Sequence, residues 1–243
     1  MKRALALPLS IMFAGLLASA QDKPVRLDEE RHYSRVFDNE YCRAYMVNLG
    51  RLEETKPVVH EHDWVRMTLA GAAEQAWGGT VFSSRGSEDA QPYIISFLYP
   101  VDRLTLRNPR SVPYQAVIVE IMQSDDSRNR RYDSSLDHVA QQLGPGVDPH
   151  ASYITFLTKT SVQILHVQLV ADDSKEIKSN GVGALLVAMT DVNLRRTLRN
   201  AAASDIQLRP GEVKWLPEKE ASTLKNVGRD AARFVVLDMK SGQ

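Results

Sequence analysis

The chain has a single cysteine, Cys42, among 243 residues. One thiol can neither close an internal disulfide nor build a cysteine cluster for zinc, so stability must come from a hydrophobic core. Cys42 sits in an apolar-rich run and reads as a small buried hydrophobe. There is no excess of either charge: 30 Lys and Arg face 30 Asp and Glu, a formal net charge of +0. That balance speaks against nucleic acid or an anionic membrane as a partner. Beyond the first twenty residues, no run approaches the roughly 20 apolar residues of a membrane-spanning helix. The patterns G-x-S-x-G, P-loop and G-x-G-x-x-G are all missing. The sequence therefore carries no signature of a nucleophile elbow, a phosphate-cradling loop or a dinucleotide site. What it does have is 43% hydrophobic residues, ample for a packed core in one large or two small domains.

The N-terminus has the three parts of a secretory signal peptide. Lys2 and Arg3 form a basic start, and Ala4 to Leu17 is apolar apart from Ser10. Ala18-Ser19-Ala20 is a small-residue cleavage site, followed by the polar Gln21. The expectation is a leader over 1–20, a mature chain from Gln21, and a periplasmic or extracellular destination. A lipid anchor would need a cysteine after the cleavage site, where Gln21 stands. Cleavage removes two basic residues and no acids, which takes the formal charge from +0 to −2.

Short β-branched runs with a period of two recur along the rest of the chain. Tyr45, Val47 and Leu49 share one face, as do Val65, Met67 and Leu69, and Val117, Val119 and Ile121. This is the pattern of half-buried strands. Gly71, Gly78-Gly79, Gly86 and Asn108-Pro109 supply the turns between them. Residues 123–151 break the pattern. A polar stretch with Arg128, Arg130 and Arg131 precedes Leu136, Val139, Ala140 and Leu143 at helical spacing, stopped by Gly144-Pro145-Gly146. This segment reads as a connector with one short helix.

The chain after the connector repeats the chain before it. Arg43–Leu49 resembles Gln163–Leu169, and Trp64–Leu69 resembles Ala184–Met189, both at an offset of 120. Leu106-Arg107-Asn108 matches Leu224-Lys225-Asn226, and the strand 115–122 matches 233–240, both at an offset of 118. Their shared order makes two copies of one fold the reading, rather than a solenoid.

These residues resemble the cupin superfamily, in its two-barrel form. Leu208–Pro217, Leu224–Gly228 and Ala232–Lys240 look like the second cupin motif, with its Pro-Gly turn, Asn-x-Gly turn and closing strand. His60-Glu61-His62 before an apolar strand looks like the first. The resemblance covers about 33–122 and 152–240. It implies an all-β chain of two tandem jelly-roll barrels, 21–122 and 152–243, joined by the 123–151 connector. It also implies one divalent metal ion, held by two His and a Glu of the first motif and a His of the second. His60 and His62 fill the His-x-His pair, and strand alternation would put both on one face. The Glu position holds Arg66, and the second-motif His position holds Leu104. In the second copy those positions fall near Ser179–Val182 and at Ser222.

His166 alternates with Leu165 and Val167 and is expected to face the interior of the second barrel. His32, His138 and His150 stand in polar segments and read as solvated. Three readings of the His60/His62 pair stay open: metal ligation, a metal-free polar pocket, and a remnant without function. In the pocket reading Arg66 clamps an anion, for which its planar fork is suited, and Trp64 contributes to the wall. Trp64, Trp77 and Trp215 could also form a sugar platform, although packing is the commoner role. At the level of the whole chain these give a small-molecule-binding protein, a metal-dependent oxygenase or isomerase, or a structural barrel that pairs with a partner or a second copy.

Overall fold

The computed structural model describes residues 23–77, 80–82, 93–123, 140–142, 153–158, 161–179, 181–199, 201–217 and 221–240. The 1–20 segment, the Arg128–Arg131 cluster, His138 and His150 lie outside the described residues. Apart from one 3-10 turn at Leu27–Glu29, every element among them is a strand. The N-terminal half carries β1 (Tyr33–Asp38), β2 (Cys42–Leu49), β3 (Val58–His60), β4 (Asp63–Ala70), β5 (Glu74–Trp77), β6 (Thr80–Phe82), β7 (Ile94–Leu98), β8 (Val101–Arg107) and β9 (Tyr114–Ile121). After β10 (Ala140–Gln142), the C-terminal half carries β11 (Tyr153–Thr158), β12 (Val162–Leu169), β13 (Ser174–Ile177), β14 (Gly183–Ala188) and β15 (Val192–Leu198). It ends with β16 (Ser204–Leu208), β17 (Val213–Leu216), β18 (Ser222–Asn226) and β19 (Ala232–Met239).

The strands form four antiparallel sheets, two in each half. The first half has β1-β2-β9-β4-β7-β10 and β3-β8-β5-β6; the second has β11-β12-β19-β14-β17 and β13-β18-β15-β16. Without β10, the two orders coincide strand for strand. The register repeats as well. Tyr33 lies opposite Val47 and Tyr153 opposite Val167, and the β1–β2 bulge at Arg35/Phe37 recurs in β11–β12 at Thr155/Leu157. These equivalences keep the offset of 120 found in the sequence.

β10 departs from the sequence reading. Ala140–Gln142, expected in the connector helix, pairs antiparallel with β7. An open edge strand offers a row of unpaired N–H and C=O groups, and this pairing satisfies them on β7. Leu136, Val139 and Leu143, the other residues of the helical spacing, lie outside the described residues.

Among the described residues, three apolar clusters form the core. One lies between the two sheets of the N-terminal half and includes Tyr45, Val47, Leu49, Trp64, Leu104 and Ile118. Its counterpart in the C-terminal half includes Val167, Leu169, Leu186, Leu194, Leu224 and Phe234. The third joins the halves: Val65, Met67, Val117 and Val119 pack with Ile164, Leu185, Val235 and Leu237. The central strands are therefore buried on both faces. The Val65/Met67/Leu69 and Val117/Val119/Ile121 faces anticipated from period two do exist, and they look toward the other half. Burial of both faces explains why β9 and β19 read as almost continuous apolar runs.

Candidate functional site

β4 pairs with β9 so that Trp64 lies opposite Glu120 and Arg66 opposite Ile118. Alternation turns Trp64, Arg66 and Thr68 to one face, and Tyr114, Ala116, Ile118 and Glu120 to the matching face of β9. Trp64, Tyr114, Ala116 and Ile118 belong to the N-terminal interior cluster, so Arg66 and Glu120 point into the same space. β1 adds Tyr33, which is buried beside Tyr45 with ring centroids 6.3 Å apart.

The two sequence-predicted histidines part company. β3 ends at His60, and the chain bends at His62 before β4 begins. Alternation does not survive a bend, so the pair does not share a strand face. His60 is 1% exposed and stacks on Trp64, with ring centroids 4.1 Å apart and planes 9° from parallel. Its Nδ1 lies 3.3 Å from Glu120 Oε1, an ion-pair distance. Burial lowers the His60 pKa, against the pull of Glu120, and so favours the neutral ring. His62 instead lines an outer cleft of about 130 Å³ with Arg26, Asp28, Arg43, Tyr45 and Glu120. Glu120 thus borders both the cleft and the interior.

Trp64 is fully buried, and its Nε1 donates to the Tyr99 carbonyl at 3.0 Å; it is a wall rather than an open platform. Trp215 stacks on Phe37 and Tyr41 of the other half, both at 5.9 Å. The side chain of Trp77 lies outside the described residues. Arg66 is half-buried. With its amide assigned by hydrogen-bonding sense, Gln75 presents its oxygen to both Nη atoms, 2.7 Å from Nη2, while Nε is buried with no hydrogen-bond partner. The hydroxyls of Tyr33 and Tyr114 are also buried without partners. Tyr33 is held in its neutral form, first by burial and then by the neighbouring Tyr114; Arg66, Glu30 and Glu120 also act on it.

Two other histidines differ from expectation. His166 shares the β12 face of Val162 and Ile164, which pack in the cluster between the halves, so it does not face the C-terminal interior. His32 is buried rather than solvated, its Nδ1 2.6 Å from Glu30 Oε1.

The donors present do not fit the metal that the motif implies. Arg66 brings a positive charge to the Glu position, and Leu104 is buried in the apolar cluster at the second His position. His60 and His62 stand apart. Among the described residues, no group of three or more His, Cys, Asp or Glu is arranged to hold a metal ion. Sequence reasoning missed Glu120, Tyr33 and Tyr114. Glu120 had a signal: it is a lone acid in an apolar strand, and Asp238 repeats it 118 residues later.

Known structures share this architecture. A cupin 2 conserved barrel domain protein from Leptotrichia buccalis superposes with a TM-score of 0.52, covering 86% of this chain and 88% of that one, at 11% identity. A variant of the Bacillus subtilis oxalate decarboxylase gives a TM-score of 0.58, with 83% and 70% covered, at 9% identity. The fold is that of the cupins. A variant of the salicylate 1,2-dioxygenase from Pseudoaminobacter salicylatoxidans agrees, at a TM-score of 0.55, with 82% and 72% covered and 11% identity. No protein-family model and no curated protein sequence matches the chain. At these identities the likeness fixes the cupin fold and leaves the chemistry to the residues present, since cupin neighbours carry different activities.

Proposed function

We propose that this chain is an exported protein of two tandem cupin barrels that binds a small ligand inside the N-terminal barrel without a complete metal centre. The observation that carries this reading is the set of unpartnered polar atoms in that interior: Arg66 Nε and the Tyr33 and Tyr114 hydroxyls. An unsatisfied buried polar group costs about 1–3 kcal/mol. Three together favour a ligand that satisfies them. His60, Trp64 and Glu120 complete the wall, and His62 stands at the outer cleft beside Glu120. The identical strand orders and the repeated bulge support two barrels. The basic start, apolar run and Ala18-Ser19-Ala20 site support export.

Metal analysis of protein purified without chelator tests the site. Substoichiometric metal, with no gain in thermal stability from added divalent ions, is expected, because tight binding to the folded state must raise stability. Stoichiometric metal that disappears in a His60→Ala/His62→Ala variant overturns the reading. Export has its own test. The intact mass of the exported protein should correspond to a start at Gln21; a chain that keeps residues 1–20 sinks that part.

A further inference from the structure

We propose that the N-terminal interior is a seat for a small carboxylate, with Arg66 Nε and the hydroxyls of Tyr33 and Tyr114 as its donors. This rests on the ligand-binding reading above and specifies the ligand. The position that the family motif fills with a metal-binding carboxylate here holds a guanidinium. The site is inverted in sign: where the motif collects acceptors for a cation, this chain collects donors.

The donors lack an acceptor. Tyr33 is 5% exposed and Tyr114 1% exposed, and both hydroxyls are unpartnered. Tyr33 and Tyr114 belong to the interior cluster that also holds Trp64, whose β4 face Arg66 shares, and Tyr114 and Arg66 both act on Tyr33 electrostatically. Arg66 forms no ion pair among the described residues; its Nη atoms face the neutral Gln75 amide and its buried Nε has no hydrogen-bond partner. A half-buried guanidinium without a counter-charge carries a desolvation cost, and an anion offsets it. Three donors match the lone pairs of one carboxylate, which offers about four.

The neighbours limit the charge. Glu30 and Glu120 both act on Tyr33, so each negative charge on the ligand meets their repulsion, and a second charge doubles it with no second guanidinium to offset it. A monoanion fits where a phosphate dianion does not. The part of Arg66 that stays accessible gives such a ligand a side from which to enter.

The test uses the purified full chain with acetate, its neutral isostere acetamide, and phosphate, all at matched ionic strength. Thermal unfolding and tryptophan fluorescence are the readouts. Acetate should raise the unfolding temperature saturably, and acetamide and phosphate should not. Arg66→Leu should abolish the acetate response, with Arg66→Gln as the second variant if Arg66→Leu does not fold. Tyr33→Phe and Tyr114→Phe should each weaken acetate binding about tenfold or more, the scale of a lost hydrogen bond to a charged group. The same two variants should leave the free protein as stable or more stable, because each removes a buried unsatisfied hydroxyl. Equal responses to acetate and acetamide would overturn the carboxylate seat while leaving ligand binding intact. A response to phosphate in place of acetate, no saturable response to acetate, or an unchanged acetate response in the Arg66 variants would also overturn it.

Discussion

His166 shows how one residue can carry an environment the sequence does not reveal. Its side chain is 4% exposed between the halves, and its Nε2 has no partner. Nearby Arg233 lies over the Tyr93 ring, 5.1 Å from the centroid. Burial first, and Arg233 second, push the His166 pKa down to about 4. A folded pKa below the ordinary value of 6.5 means that the folded state disfavours the proton. Stability is therefore full above about pH 6.5 and falls as the pH drops toward 4. His60 shifts in the same direction through burial. Urea unfolding of the wild type should lose roughly 2–3 kcal/mol from His166 between pH 7 and 4.5, a contribution that His166→Leu removes. If both proteins lose stability in parallel, His166 is not the titrating group. The sequence located His166 on a strand, but its face was set by which sheet packs behind it.

Among the elements, the paired turns after β8 and β18 rest on two buried asparagines. Asn108 Nδ2 donates to the carbonyls of Leu49, Gly50 and Val112, and its Oδ1 accepts from Arg110 N at 3.0 Å. Asn226 Nδ2 donates to the carbonyls of Leu169 and Asp230, and its Oδ1 accepts from Gly228 N at 2.9 Å. Each ties the strand-end turn to the end of β2 or β12. Asn108→Ala and Asn226→Ala should each cost about 2–4 kcal/mol, because several buried carbonyls lose their donor at once. Loss of less than about 1 kcal/mol in equilibrium unfolding would show that water takes over these bonds. This pair was legible in the sequence as matching Leu-x-Asn triplets. The parting of His60 from His62 was not, since the bend at His62 carries the chain from the sheet of β3 to the other sheet, where β4 pairs with β7 and β9.

For the whole molecule, the cluster shared by the two large sheets is the decisive feature. Residues from β2, β4, β7 and β9 pack there with residues from β12, β14 and β19. Gly211 helps to seat the halves: its φ is +86°, and a Cβ there would lie 2.0 Å from Met46 Cε of the other half. Gly211→Ala should destabilise the protein by about 1–2 kcal/mol from the backbone alone. Because the halves share one core, calorimetry should show a single transition whose van't Hoff and calorimetric enthalpies agree. Two resolved transitions would mean that the halves fold independently.

The sequence by itself determined the strand-rich class, the repeat and its two offsets, and the asparagine turns. Those features are local, written in period-two alternation and turn chemistry. The tertiary structure decided which strand faces look inward, that β10 closes the β7 edge, and that His60 stacks on Trp64. It also turned Tyr33, Tyr114, Glu120 and Arg66 toward one interior. Such choices depend on contacts between residues far apart in the chain, where burial and charge, rather than spacing, set the outcome.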